Sequence, residues 1–268
     1  MVEVKYIDIS VVIPVYNAEV TIIDCLNSVI DELENAKYFW EIILVDDGST
    51  DSSAYMLKQY KEQSVFKNSI HIFTQLNQGV SAARNVGLLH SKGDYVAFND
   101  SDDRWLKGRI KKQISFMRNN KETVMVAGLY RGMLFKNDHA IVQVTIKKQI
   151  FKNHFSPTCV LLKRTVLAQS GLFDQNMRYG EDVNFFNRIV RCGKCFLIRD
   201  FFAESILNKY VWGDSGLSSH LWEMEKGELK NLAILYSENQ ISLLLYIVTF
   251  LFSIGKYCRR FLISCIRH

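Results

Sequence analysis

Three short apolar runs rich in β-branched residues each end in a cluster of turn-forming polar residues. "ISVVIPVY" (9–16) runs into Asn17, "EIILV" (41–45) into "DDGSTD", and "DYVAF" (94–98) into "NDSDD". Continuous apolar runs of this length, without alternation, are strands buried on both faces. Between them the period changes. Ile22, Leu26, Val29 and Leu33 recur at helical spacing, 52–62 reads as a second helix, "SIHIFT" (69–74) as another strand, and "GVSAARNVGLLHS" (79–91) as a third helix. Strand–helix–strand alternation on short connections requires parallel pairing with right-handed crossovers, which is a doubly wound α/β sheet. In such sheets ligands gather beyond the carboxyl ends of the strands. "PVYN" (14–17), "DDGST" (46–50) and "NDSDD" (99–103) therefore share one rim. Any one of them also reads as a solvated turn, because Asp, Asn, Gly and Ser favour turns; three at corresponding strand ends point to a site.

The pattern changes after residue 103. A basic amphipathic helix is expected over 104–119. "TVMVAG" (123–128), "YRGMLF" (130–135) and "AIVQVTI" (140–146) read as strands of a partly antiparallel extension. Residues 180–193 form a helix with Val183, Phe186, Ile189 and Val190 on one face. "ISLLLYIVTFLFSI" (241–254) is almost uninterrupted apolar sequence, followed by Lys256, Arg259, Arg260, Arg267 and His268. The chain has 268 residues, two prolines and a net charge of +5, with no repeat and no proline-rich linker. One domain with an appendage accommodates that length: residues 1–218 as the domain, divided into 1–103 and 104–218, and 219–268 as a C-terminal helical extension. Among six scattered cysteines, "CGKC" (192–195) has CxxC spacing but no second pair to complete a zinc site. Reduced cysteines of a cytosolic protein are expected. The N-terminal "MVEVKYIDIS" shows no basic stretch leading into an apolar core, so no signal peptide is expected.

Crowded carboxylates at a strand end resist desolvation and repel one another. A divalent cation relieves both problems. Mg²⁺ and Mn²⁺ are hard ions that take one or two carboxylates together with substrate phosphates, and the Asp-x-Asp spacing of Asp100 and Asp102 suits them. Neither a Walker lysine motif nor GxGxxG is present. Phosphate charge must then be met by metal and by isolated cations, of which Arg84 is one; a helix-surface salt bridge is the other reading of Arg84. Without metal, the turn is expected to be loosely ordered.

"VVIPVYN", "EIILVDDGSTD", "NQGVSAARNVGL", "GDYVAFNDSDDRW" and "GEDVNFFNR" follow one another in an order and spacing that resemble the GT-A glycosyltransferases of family 2. The resemblance covers roughly residues 7–195. It implies a nucleotide-sugar-binding half (1–103) followed by an acceptor-binding half, and an inverting transfer of a sugar from a nucleoside diphosphate, taken here as UDP. It implies Pro14 and Tyr16 at the donor, with Tyr16 against the nucleobase, where an aromatic face stacks; a core tyrosine is the alternative. Asp47 would accept the imide N–H of the base, and Asp46 would hold the turn or reach the ribose. Arg84 would orient the donor, Asp100 would contact ribose or metal, and Asp102 would be the principal metal ligand, with Mn²⁺ or Mg²⁺ as cofactor. Asp103 would cap the following helix.

An acceptor hydroxyl must lose its proton as it attacks. The resemblance assigns that proton to Asp182, with Glu181 assisting; the alternative is a plain acidic first turn of a helix. A metal- or diphosphate-contacting histidine is expected within "KYVWGDSGLSSH" (209–220), where His220 is present and Trp212 and Gly213 stand near the expected place. The apolar tail spans about 21 Å as a helix, short of a bilayer core of roughly 30 Å. It either lies on a membrane surface through 241–268 or packs against the domain or a second copy, as in a homodimer. The implied partners are a UDP-sugar and a glycan or polyprenyl-linked glycan acceptor, in bacterial surface polysaccharide or lipopolysaccharide synthesis at the inner face of the cell membrane. Nucleic acid is not needed to explain the charge. A catalytically silent scaffold protein is the rival reading; a sugar-nucleotide pyrophosphorylase would need a glycine-rich, basic N-terminal signature that is absent.

Overall fold

The computed structural model describes residues 6–132, 140–207 and 220–267. Three expectations fall partly or wholly outside them: the second half of "YRGMLF", and Trp212 and Gly213. The first two strands, β1 (Ile9–Val15) and β2 (Trp40–Asp46), are buried at every position, including Ser10, whose hydroxyl donates to Glu41 (2.7 Å). They pair in parallel, β1 also pairs in parallel with β4 (Tyr95–Phe98), and β2 with β3 (Ile70–Thr74). The crossovers are α1 (Ile22–Ala36), α2 (Ser53–Gln63) and α3 (Val80–His90). Pro14 sits two residues beyond Val12, the last position of β1 paired with β4, so its missing N–H breaks no rung of that ladder. Each Val, Ile or Leu buried in this core contributes about 1.5–3 kcal/mol.

The second half is mixed, as its irregular pattern implies. After β5 (Asp103–Trp105) and α4 (Arg109–Asn119) come β6 (Thr123–Tyr130), β7 (Ile141–Val144), the short α5 (Ile146–Gln149), β8 (Val160–Lys163) and the short α6 (Leu167–Ser170). Then α7 (Glu181–Cys192) leads into β9 (Lys194–Ser205). The nine strands form one sheet in the order β3-β2-β1-β4-β8-β6-β9-β5, with β7 also paired to β9. The pairs β4–β8, β6–β8, β5–β9 and β7–β9 are antiparallel, whereas β6–β9 is parallel.

Two expected boundaries move. The helix expected from 104 starts at Arg109, because residues 103–105 are drawn into the sheet against β9. The carboxylate of Glu32, buried on α1, caps α4 by accepting from the N–H groups of Gly108 (2.8 Å) and Ile110 (2.9 Å). Asp103 is therefore not the cap; it pairs in β5 instead. The tail forms two helices, α8 (Leu221–Ser237) and α9 (Leu243–Arg267), the second running far beyond residue 254. No helix among the described residues is long and apolar enough to cross a membrane. Cys192 and Cys195 are free, one closing α7 and the other buried in β9.

Candidate active site

The parallel strands deliver their carboxyl ends to one rim, and loop-to-loop hydrogen bonds fix it. Asn17 adopts a left-handed backbone (φ 48°) at the end of β1. Its N–H donates to Ser49 Oγ (3.1 Å), and its Oδ1 accepts from the N–H of Thr50 (2.8 Å). The N–H of Ala18 donates to Ser53 Oγ (2.8 Å), and the N–H of Ser52 to Glu19 Oε2 (2.9 Å). The loops after β1 and β2 are thereby stitched together. On this platform the Tyr16 side chain is 50% exposed, so it is not a core tyrosine.

Asp46 and Asp47 are both buried. Asp46 Oδ1 accepts from the N–H of Ser49 (3.1 Å), holding the turn. Asp47 Oδ1 accepts from Gln75 Nε2 (2.7 Å) and the N–H of Gln78 (2.9 Å), and Oδ2 from the N–H of Gly79 (2.8 Å). Asp47 thus ties β2 to the loop that launches α3.

That helix carries Arg84, 4% exposed, into the middle of the molecule. Its Nη2 donates to Asp100 Oδ1 (2.8 Å), and its Nη1 to Glu181 Oε1 (3.3 Å). The guanidinium lies 5.3 Å from the ring centre of Phe173, and its Nε is buried without a partner among the described residues. Arg84 is a buried bridge between the rim of β4 and the start of α7, not a helix-surface salt bridge. Burial opposes its charge, but Asp100 and Glu181 hold it above its usual range. The neighbouring Asn85 fixes α3 to Phe173 with reciprocal bonds of 2.9 and 2.8 Å.

The turn after β4 is well satisfied, contrary to the expectation that repulsion loosens it. The Asp100 N–H donates to Thr158 Oγ1 (3.2 Å), and the Asp103 N–H to the Asp100 carbonyl (3.0 Å). Asn99 Nδ2 donates to the Asp103 carbonyl (2.9 Å), and the Ile206 N–H to the Asp102 carbonyl (3.0 Å). The three carboxylates go to different places. Asp100 meets Arg84. Asp102 is half-buried at the rim. Asp103 is buried, accepting from Tyr130 (2.6 Å) and Thr158 (2.7 Å) hydroxyls. Burial and Asp100 push its carboxyl up to about 7 against those two bonds. Beneath Thr158, the buried Arg109 donates to the carbonyls of Thr158 and Val160 (3.2 Å) and stacks 4.0 Å over Trp105.

Glu181 and Asp182 open α7. Gly180, in a left-handed conformation (φ 71°), turns the chain into the helix, and a Cβ there would lie 3.0 Å from Asn231 Nδ2. Asn231 of α8 donates to the Gly180 carbonyl (2.8 Å). A Cβ on Gly227 would lie 2.4 Å from the Tyr179 carbonyl, so α8 presses directly on this turn. Burial and the adjacent Asp182 push the Glu181 carboxyl up to about 7, against the pull of Arg84. Burial raises Asp182 too, opposed by the Val183 N–H (2.7 Å) and by Arg84. A carboxylate raised towards neutrality is suited to accept a proton.

The donor set also bears on metal binding. Among the described residues, no three His, Cys, Asp or Glu side chains form a metal cage. Asp100 and Asp102 offer two carboxylates at one rim, and one Asp100 oxygen is already shared with Arg84. That fits Mg²⁺ or Mn²⁺ completed by diphosphate and water, and does not fit a metal held by protein alone. His220 precedes α8, with its ring 6.2 Å from Tyr179. Sequence reasoning missed Asn231, Thr158, Tyr130 and Arg109. Each lies far in the chain from the residue it holds, and none carries a local motif.

The sequence pattern of Glycosyl transferase family 2 matches residues 10–207. The chain belongs to that family. Its relatives include a putative teichuronic acid biosynthesis glycosyltransferase, TuaG, from Bacillus subtilis, 42% identical over 225 residues, covering 81% of this chain and 84% of TuaG. A poly(ribitol-phosphate) beta-glucosyltransferase from Bacillus spizizenii is 32% identical over 203 residues, covering 72% of this chain and 31% of that one. Other relatives are likewise longer, with the match spanning 28% of an uncharacterized glycosyltransferase from Rickettsia conorii. Among solved structures, S. aureus TarS in complex with UDP-GlcNAc superposes with a TM-score of 0.67 at 21% identity, covering 85% of this chain and 67% of that one. The mannosyltransferase PcManGT from Pyrobaculum calidifontis, with GDP-Man and Mn²⁺, gives 0.67 at 16% identity, covering 87% and 65%. The fold of this family member is therefore GT-A, with C-terminal helices added.

Proposed function

We propose that this family 2 glycosyltransferase transfers a sugar from a UDP-sugar, with inversion, to a hydroxyl of a bacterial cell-surface polymer. The observation that carries the reading is the buried Arg84, which joins Asp100 on the rim of β4 to Glu181 at the start of α7. A single cation thus couples the carboxylate turn of the donor half to the acidic turn of the acceptor half. The exposed Tyr16 supplies a stacking face for uracil, and Pro14, Asp46 and Asp47 shape the pocket beside it. Asp47 spends three hydrogen bonds on residues 75–79, so its part in base recognition includes holding that loop.

Asp182 takes the proton of the attacking hydroxyl. The new bond forms from acceptor oxygen to C1, the bond from C1 to the diphosphate oxygen breaks, and its electron pair leaves with UDP. Glu181, fixed by Arg84, orients the acceptor. Arg84 counters charge on the departing diphosphate. Mn²⁺ or Mg²⁺, held by Asp102 and Asp100, would supply further stabilisation of that charge. The acceptor class is supported by relatives whose names concern teichuronic and teichoic acids.

UDP release from a panel of UDP-sugars, with Mn²⁺ and with EDTA, tests the reading. Release is expected only with metal, and the Asp182→Asn protein is expected to lose it. Metal-independent release, or full acceptor-dependent activity in that variant, would overturn it.

A further inference from the structure

The helix α9 is apolar on its outward side as well as where it packs. Its two fully buried polar residues are Thr249 and Ser253, each 1% exposed, while Leu245 and Tyr246 pack on Leu232, Leu235 and Ile241. Ser253 Oγ donates to Glu225 Oε1 of α8 (2.7 Å), and Arg260 Nη2 to Glu225 Oε2 (2.7 Å). Lys256 pairs with Glu228 of α8. Its outer side is apolar. Leu244, Ile247, Val248, Leu251, Phe252 and Leu262 are all 46% exposed or more. Of the exposed residues on α9 up to Leu262, Arg259 alone is charged. An ordinary surface helix turns a polar face outward.

We infer that this face rests on an anionic lipid bilayer. Two features favour a bilayer over a second copy of the chain. At 100° per residue, the exposed apolar positions from Leu243 and Phe261 round to Phe252 cover about half the circumference, whereas a coiled-coil seam uses a narrower stripe. A flat apolar medium covers that whole arc; one partner helix does not. The second feature is charge. The hairpin's acids are engaged: Glu225 and Glu228 with α9, Glu223 with Lys226, and Glu238 with Arg191. Lys226 and Lys230 are exposed on α8 and Arg259 near the edge of the apolar arc, and Lys230 and Arg259 form no ion pair among the described residues. Trp222, 47% exposed, packs on Tyr257 at 5.3 Å and supplies an interfacial aromatic group. The apolar face runs about 30 Å from Leu243 to Leu262, long enough to lie in the headgroup plane. Because Asn231 ties α8 to Gly180, a docked hairpin also fixes the acidic turn relative to the lipid surface. The inference does not depend on the donor or the reaction.

The test is co-sedimentation of the whole chain with vesicles of phosphatidylglycerol and phosphatidylcholine in equal parts, beside vesicles of phosphatidylcholine alone. The expected result is binding to the anionic vesicles that weakens with salt. Leu244→Glu with Leu251→Glu is expected to weaken it about tenfold or more, with the thermal midpoint unchanged. Lys230→Ala with Arg259→Ala is expected to remove most of the preference for anionic vesicles. No binding by the unaltered protein, or binding indifferent to the leucine substitutions, overturns the inference. So does a dimer in sedimentation that the leucine substitutions dissolve while vesicles bind neither protein; that result assigns the face to a second copy.

Discussion

The strand core and the C-terminal hairpin solve the burial problem in different ways. In β1 and β2 every residue is buried, and polar groups sit at the strand ends, apart from the Ser10–Glu41 pair near their starts. In the hairpin of α8 and α9 a small apolar cluster of Leu232, Leu235 and Ile241 sits beside a buried ion network, Glu225 against Ser253 and Arg260, while Leu244, Leu251 and Leu262 face outward. Apolar burial is non-directional, so the strand core tolerates exchange of one apolar side chain for another. Buried ion pairs are directional, and their desolvation offsets most of their attraction. The core therefore supplies stability, and the rim it carries is where the proposed chemistry would occur. The hairpin buries fewer apolar groups and keeps a wide apolar face outward. If this contrast is right, disruption at the rim costs activity first, and disruption inside the hairpin costs little once all partners are replaced together.

The largest effect is expected at Asp182. Asp182→Asn keeps the shape and removes the proposed proton acceptor, so transfer is expected to fall about 10²- to 10⁴-fold, with UDP affinity and thermal midpoint near those of the parent. A rate within a few-fold of the parent would move the base elsewhere. The acid limb of the pH profile follows from the same pair. Burial raises Asp182 and raises Glu181 to about 7. A carboxyl that already holds a proton cannot accept another, so the rate is expected to fall as pH drops while still above the ordinary carboxylate range. An acid limb at the ordinary carboxylate range would contradict this.

Arg84 comes next. Arg84→Ala leaves Asp100 and Glu181 facing each other's charge without their shared cation. Removing one member of a buried ion network costs about 3–5 kcal/mol, read as a lower denaturation midpoint, and transfer is lost with it. Tyr16→Ala separates chemistry from stability in the opposite sense. Donor affinity is expected to weaken by about 1–3 kcal/mol if the ring stacks on the base, measured by calorimetry with UDP. Because Tyr16 is half exposed, stability is expected to stay within about 0.5 kcal/mol.

The contrast also explains what was legible in the sequence. The rim was legible because it is local: Asp46, Asp47, Asp100 and Asp102 stand directly after runs whose pattern specifies buried strands. The parallel first half and α7 were legible for the same reason. The long β9 was not, because "KCFLIRDFFAES" mixes exposed and buried positions and pairs with three strands from different parts of the chain. Asp103 read as a cap because it is an aspartate shortly before a helix. Its real partners, Tyr130 and Thr158, are 27 and 55 residues away, and no local signal announces them. The hairpin was half legible: its apolar run was plain, but the side that faces outward was fixed by Glu225 and Glu228 on another helix. Periodicity finds a helix face; only its neighbour decides which way that face turns.

The smallest expected effect tests the hairpin's side of the comparison. Glu225→Leu alone strips Arg260 of its nearer carboxylate, leaving Glu228 at 3.7 Å, and strips Ser253 of its acceptor. That is expected to cost about 1–3 kcal/mol, the price of buried polar groups left unsatisfied. Adding Ser253→Ala and Arg260→Met removes those orphans and fills the gap with apolar atoms. The triple variant is then expected to return to within about 1 kcal/mol of the parent, because a buried ion pair and a packed apolar replacement are nearly equal in stability. Chemical denaturation of the three proteins decides it. A triple variant as unstable as the single one would mean that the buried ion network itself holds the hairpin together. A recovered one would mean that the polar residues lie inside chiefly because the leucines are needed outside.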